Sequence, residues 1–166
     1  MLKELSIKNF AIIDDIKIEF TKGLNLLTGE TGSGKSIIIE ALGIVLGRSS
    51  KDFIRTGEEK AIIEVLFFVN ENIKQILQKN GLEVDDTLII TKEIFLNYPS
   101  VSRINGRPIT LNILNSITHK LVDIFGQHEH QTLLNISNHI SLIDSFGDNN
   151  FITLKEKIRK DFEEYR

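Results

Sequence analysis

Cysteine is absent from the 166 residues, which excludes a disulfide framework and a thiolate metal site. That absence also fits a reducing compartment. An excess of charge is missing too, with 20 Lys+Arg against 23 Asp+Glu and a net −3. There is thus no global basic field of the kind that marks a dedicated nucleic-acid binder, although a local basic patch stays open. Long hydrophobic runs are lacking: the longest, Ile37 to Leu46, is broken by Glu40 and is too short for a bilayer. The start, Met1-Leu2-Lys3-Glu4, has an acidic residue and no uninterrupted apolar core, so it is not a signal peptide. No internal repeat or low-complexity tract is evident. What remains, 41% hydrophobic and 26% charged, is an ordinary globular composition for one domain, expected in the cytoplasm with no membrane partner.

The pattern alternates from Leu5 to Phe20, with Ile16, Ile18 and Phe20 on one side and Lys17 and Glu19 on the other, as in a half-buried strand. Thr21-Lys22-Gly23 reads as a turn, and Leu24 to Leu27 as a short apolar strand. A buried helix is expected from Lys35 to Leu46, closed by Gly47. After a polar stretch from Arg48 to Lys60, a strand runs from about Ala61 to Val69. Asn70 or Asn72 would cap a helix ending near Gly81. Leu88 to Phe95 and Ser100 to Ile104 read as strands, and Asn105-Gly106 is a two-residue hairpin signal without a chemical role. Thr110 would cap a helix reaching about His119, Leu121 to Phe125 is strand-like, and a short helix is expected over Ile136 to Phe146. From Phe151 to Arg166, Leu154, Ile158, Phe162 and Tyr165 recur at helical spacing.

The chemistry concentrates in Gly29-Glu30-Thr31-Gly32-Ser33-Gly34-Lys35-Ser36, which fits G-x-x-x-x-G-K-[ST] at every fixed position. Glycines let the backbone fold tightly, so that N–H groups point at phosphate oxygens. The helix starting near Lys35 adds its positive end to the same spot. Lys35 would bridge the β- and γ-phosphates of ATP, and the Ser36 hydroxyl would ligate Mg²⁺.

A working hydrolase also needs a carboxylate at the end of a neighbouring strand to hold the metal shell. Asp123 falls inside its strand-like run, and Asp144 lies among helical spacings interrupted by Ser141. Neither is convincing. His128-Glu129-His130 does not match H-E-x-x-H, in which both imidazoles share a helix face, and it lacks a third ligand.

The opening "LSIKNFAIIDDIKIEFTKGLNLLTGETGSGKSIIIEALGIVLG" resembles the amino-terminal head segment of the RecN family, bacterial SMC-like proteins of double-strand-break repair. Three further stretches agree in order: "FIRTG" at Phe53 to Gly57, "SRINGRPIT" at Ser102 to Thr110, and "DIFGQHEHQTLL" at Asp123 to Leu134. The Glu30-Thr31 pair and the Gly126-to-Gln131 stretch separate this branch from other SMC-type heads, whose loops usually carry Asn-Gly. The resemblance implies an α/β P-loop fold of the ABC/SMC head type, with a mixed sheet, an antiparallel portion and the start of a coiled-coil helix. The chain would then be the first part of a longer protein: residues 1–150 the amino-terminal lobe of an ATPase head, and 151–166 the beginning of the coiled-coil arm. In such heads the second metal-binding acid, the catalytic glutamate and the signature motif lie in the carboxy-terminal half. By position, Gly29, Gly32, Gly34, Lys35 and Ser36 form the cradle, with Glu30, Thr31 and Ser33 between them. Gln127 matches the glutamine that contacts Mg²⁺ and orders the attacking water, an amide that reaches the metal shell without adding charge. Arg48 and Arg55 are both candidates for the arginine that reaches nucleotide or DNA, and spacing does not choose between them. The implied partners are the carboxy-terminal half, a second head in a homodimer, and DNA, as broken ends or single strands; the implied location is the nucleoid.

Two functions of different class follow. One is the ATP-binding lobe of a DNA-repair ATPase. The other is a self-contained small P-loop kinase or NTPase, which would need its own metal-shell acid, acceptor pocket and lid within 166 residues. A pure interaction module is disfavoured by the completeness of Gly29 to Ser36.

Overall fold

The structure is a computed structural model that describes residues 1–30, 32–49, 53–122, 124, 140, 143–144 and 146–166. It divides into two compact units, Met1–Asp123 and Ile124–Arg166.

The first unit is built on one antiparallel sheet in the order β2-β1-β3-β4-β5-β6. Its strands are β1 (Leu2–Phe10), β2 (Ile13–Glu19), β3 (Lys60–Phe68), β4 (Thr87–Phe95), β5 (Val101–Ile104) and β6 (Arg107–Ile109). Period-two alternation sets the faces: Ala61, Ile63, Val65 and Phe67 of β3 are buried, as are Leu88, Ile90 and Ile94 of β4. The opposite face carries cross-strand ion pairs, including Arg103 to Glu93 at 3.2 Å and Lys17 to Glu4 at 3.0 Å. The β5–β6 hairpin turns on Asn105 (φ +47°) and Gly106 (φ +78°), the two positive dihedrals expected there. The Asn105 Oδ1 also accepts the Ile89 N–H at 2.9 Å, which ties the turn to β4.

Helices α1 (Lys35–Val45), α2 (Glu71–Lys79) and α3 (Leu111–Thr118) complete this unit. Asn70 caps α2, its Oδ1 accepting the Ile73 N–H at 3.1 Å, and Thr110 caps α3. Helix α1 packs on β1, β3 and β4. Its burial is concentrated in the last turns, at Ala41, Gly43, Ile44 and Val45, while Ile39 in the first turns is exposed. Gly47 closes α1: its N–H donates to the Ile44 carbonyl and the Arg48 N–H to the Gly43 carbonyl, the paired bonds of a Schellman ending.

Three expectations change. The alternating stretch from Leu5 to Phe20 is two strands, because the chain reverses at Ala11-Ile12 with Phe10 opposite Ile13. Ala11 holds φ +52° without glycine or an Asn-Gly pair to signal it, and Asn9 at φ +53° rotates β1 so that Phe10 faces the core. Leu24 to Leu27 forms no strand, and Leu24 and Leu26 are 91% and 80% exposed. The amide of Asn25 instead bonds locally, accepting the Thr21 N–H and donating to the Thr21 and Gly23 carbonyls, so no ladder partner is engaged. Its expected neighbour is equally absent at Leu121 and Val122, which end α3 as a turn on the Thr118 carbonyl. Asp123, Phe125 and most of the helix expected over 136–146 lie outside the described residues.

In the second unit, α4 (Asn149–Tyr165) is capped by Asp148, whose Oδ1 accepts the Phe151 N–H at 2.8 Å. Lys155 on this helix pairs with Asp144. The expected apolar stripe forms and is exposed at Leu154, Ile158, Phe162 and Tyr165.

Candidate nucleotide site

The glycine loop is exposed and runs directly into the N-terminus of α1. Gly32 (φ +86°) and Gly34 (φ +93°) hold the left-handed backbone that bends the chain back over the helix start. Gly34 is the N-cap, and no side chain caps the helix. No side chain therefore competes for the first-turn amides at the positive helix end. A Cβ at Gly29 would stand 2.6 Å from Ser33 Oγ, so a side chain there would push the Ser33 hydroxyl aside.

Lys35 is the first residue of α1 and folds back into this loop. Its ammonium donates to the Gly29 carbonyl, to the Glu30 carbonyl at 2.5 Å and to Ser33 Oγ at 3.2 Å. The ammonium is thus held inside the loop by two backbone carbonyls and a hydroxyl. Ser36 follows on the exposed side of the helix start, with its hydroxyl available to a cation beside the loop. Positive helix end, obligatory glycines and an inward lysine make a donor set that fits a nucleotide triphosphate. Thr31 and Gln127 lie outside the described residues.

The two arginines separate. Arg48 stands beyond the far end of α1, a helix of 11 residues or roughly 16 Å, with its side chain folded over Gly43. Arg55 lies on the loop side. Its Nη1 donates to the Ile12 carbonyl at 2.9 Å, and the Ile12 Cδ1 would lie 3.6 Å from a Cβ at Gly34. The polar character of residues 48–60 hid a strap, residues 53–58, that is hydrogen-bonded to Asn9 and Ala11 at the β1–β2 turn. Phe53 stacks on Phe10 with ring centroids 5.1 Å apart, and Phe10 bridges to Ile54. The signal was available in Phe53-Ile54, an apolar pair inside a polar stretch. Asp144 is engaged with Lys155 on α4. Among the described residues there is no cluster of three or more potential metal ligands of the His, Cys, Asp or Glu type. None of the described helices is long and apolar enough to cross a membrane.

A family model described as an AAA domain matches residues 4–166. The chain is 45% identical to the DNA repair protein RecN of Halalkalibacterium halodurans over 169 aligned residues, 99% of this chain and 30% of that protein. It therefore spans about 30% of that relative's length. Among solved structures, it is similar to the Smc head domain of Pyrococcus furiosus, with an extended coiled coil and bound to the C-terminal domain of ScpA. That likeness has a TM-score of 0.68 at 23% identity and covers 98% of this chain and 46% of that one. A second chain, from work on ATP-driven dimerization and DNA-stimulated activation of SMC ATPases, gives a TM-score of 0.62 at 21% identity, covering 96% and 97%. The chain belongs to the AAA domain family, with the fold of an SMC head and its sequence kinship among the RecN DNA repair proteins.

Proposed function

We propose that this chain is the ATP-binding amino-terminal lobe of an SMC-like protein that acts in recombinational repair of DNA double-strand breaks. The observation that carries the reading is the placement of Lys35, which reaches back into a loop turned by left-handed glycines at Gly32 and Gly34. Lys35 would exchange its loop carbonyls for phosphate oxygens, the amides of the helix start would hold the phosphates, and Ser36 with Gln127 would offer oxygen ligands to Mg²⁺. Of the two arginines, Arg55 is the one beside the loop and is the better candidate for nucleotide or DNA contact. Residues 1–150 form the head lobe and 151–166 the start of the coiled-coil arm, which accords with the exposed stripe on α4.

The carboxy-terminal half of the same protein is the first partner. Support comes from Leu24 and Leu26, an apolar strand sequence left 91% and 80% exposed, and from a match covering only 30% of the RecN relative. A second head and DNA, as broken ends or single strands, are the further partners, in the cytoplasm at the nucleoid. The self-contained kinase finds no supporting feature among the described residues.

The test is a steady-state ATPase assay on the purified chain, alone and mixed with the complementary half. Alone it should bind ATP–Mg²⁺ weakly and turn over hardly at all, because the catalytic glutamate and the signature motif that the resemblance implies belong to the carboxy-terminal half. Losing a general base and a transition-state clamp costs orders of magnitude each. Turnover of about 1 s⁻¹ or more by the chain alone, abolished by Lys35→Ala, would favour the self-contained enzyme.

A further inference from the structure

Two Asn-Gly pairs occur in the sequence, Asn80-Gly81 and Asn105-Gly106. Such a pair has a chemistry of its own besides its fitness for turns. Glycine carries no β-carbon to shield its amide nitrogen, which can therefore reach the side-chain carbonyl of the preceding asparagine. The two pairs are alike in sequence, and their surroundings differ.

Asn105 is held twice by one residue of β4. Its N–H donates to the Ile89 carbonyl at 2.9 Å, and its Oδ1 accepts the Ile89 N–H at 2.9 Å. Ile104 and Arg107 pair across the hairpin on either side of it, and β4 is an interior strand of the sheet. Turning the Asn105 carboxamide toward Gly106 means opening a bond to that strand.

Asn80 is the exposed C-cap of α2. Its side chain makes one hydrogen bond, from Nδ2 to the Ile76 carbonyl at 2.8 Å. The Gly81 N–H donates to the Gln78 carbonyl at 3.0 Å, a tight bond that closes the last turn of the helix. Helix ends fray, so both bonds open at little cost. A β-carbon at Gly81, where φ is +66°, would meet nothing within 4 Å, so the backbone there is open to water.

We infer that Asn80-Gly81 is a site of spontaneous deamidation in the native protein, and that Asn105-Gly106 is protected by its two bonds to Ile89. The Gly81 amide nitrogen gives its proton to solvent base and attacks Cγ of Asn80. The bond from Cγ to Nδ2 breaks, ammonia leaves with a proton from water, and a five-membered succinimide closes. Water then opens either carbonyl of the ring and leaves an aspartyl or an isoaspartyl residue. The new carboxylate stands at the negative end of α2, and the Ile76 carbonyl loses its side-chain donor. The isoaspartyl product also adds a methylene to the main chain just before Leu82. That residue is buried, with its N–H on the Leu77 carbonyl at 3.0 Å, so conversion acts on the join between α2 and β4.

The experiment ages the full-length protein at neutral pH and physiological temperature, native and in denaturant, and maps its peptides by mass spectrometry. Tryptic cleavage after Lys79 and after Arg103 puts the two pairs in separate peptides. Each pair's rate in denaturant is its own reference, which removes the influence of flanking residues. Folding should slow Asn105 by at least about tenfold and Asn80 by much less, because a helix end opens far more readily than an interior strand. The converted peptide from residue 80 should contain both aspartyl and isoaspartyl forms, the mark of a succinimide. Equal slowing at the two pairs, greater slowing at Asn80 or no slowing at either overturns the inference. A product at residue 80 that is aspartyl alone overturns the cyclisation by Gly81.

Discussion

Thr118, the last residue of α3, donates its hydroxyl to the carbonyl of Leu46, the C-cap of α1, across 2.8 Å in a buried setting. Residues 72 positions apart in the chain are joined by this bond. A helix end leaves its last carbonyls without intrahelical partners, and Thr118 satisfies one of them from a neighbouring element. The helix that begins at the phosphate loop is thereby anchored at its other end. Thr118→Val keeps the shape and removes the donor, so a buried carbonyl loses its partner. The expected cost is about 1–2 kcal/mol, read as a lower midpoint in denaturant unfolding with an unchanged slope.

Gly47 lies at the same junction, at φ +121° and against the Asn115 side-chain oxygen. Gly47→Ala should destabilise by about 1–3 kcal/mol, from backbone strain and from the collision with Asn115. Asn115→Ala in the same chain should recover the steric part and leave the strain. A double-mutant cycle in chemical denaturation measures both, and full additivity would show that Asn115 does not press on this position.

Lys92 is 8% exposed on the core face of β4, between Ile90 and Ile94, and donates to Ser102 Oγ at 3.1 Å. Burial pushes its ammonium below the ordinary lysine value of 10.5. A group whose folded pKa is depressed in this direction costs stability whenever both states are charged, and the cost fades as pH rises from the folded pKa through 10.5. Lys92→Met should therefore raise Tm at pH 7 by roughly 2–4 °C, about 1 kcal/mol for a chain of this size. Thermal melts at increasing pH should show the advantage shrinking toward 10.5.

Lys35→Ala should abolish nucleotide binding, because no other basic side chain reaches into the loop from within Gly29 to Ser36. Gln127→Ala should leave binding largely intact and impair hydrolysis in the full-length protein, since its proposed contact is with metal and water. Titration calorimetry and steady-state turnover separate the two. Equal loss of binding in both variants would overturn this division of roles.

The sequence by itself determined the features that are local in the chain. The glycine spacing of the loop, the caps Asn70 and Thr110, the Gly47 stop and the Asn105-Gly106 hairpin each answer a backbone demand met within a few residues. Only the tertiary structure decided what depends on residues far apart. The reversal at Ala11-Ile12 carries no turn chemistry of its own and is held by Phe53 and Arg55, more than forty positions away. The same strap parted two arginines that spacing could not, putting Arg55 beside the loop and Arg48 beyond the far end of α1. Leu24 to Leu27 shows the converse: its apolar run encodes burial in a sheet, but a strand exists only where a neighbour supplies a ladder, and among the described residues none does.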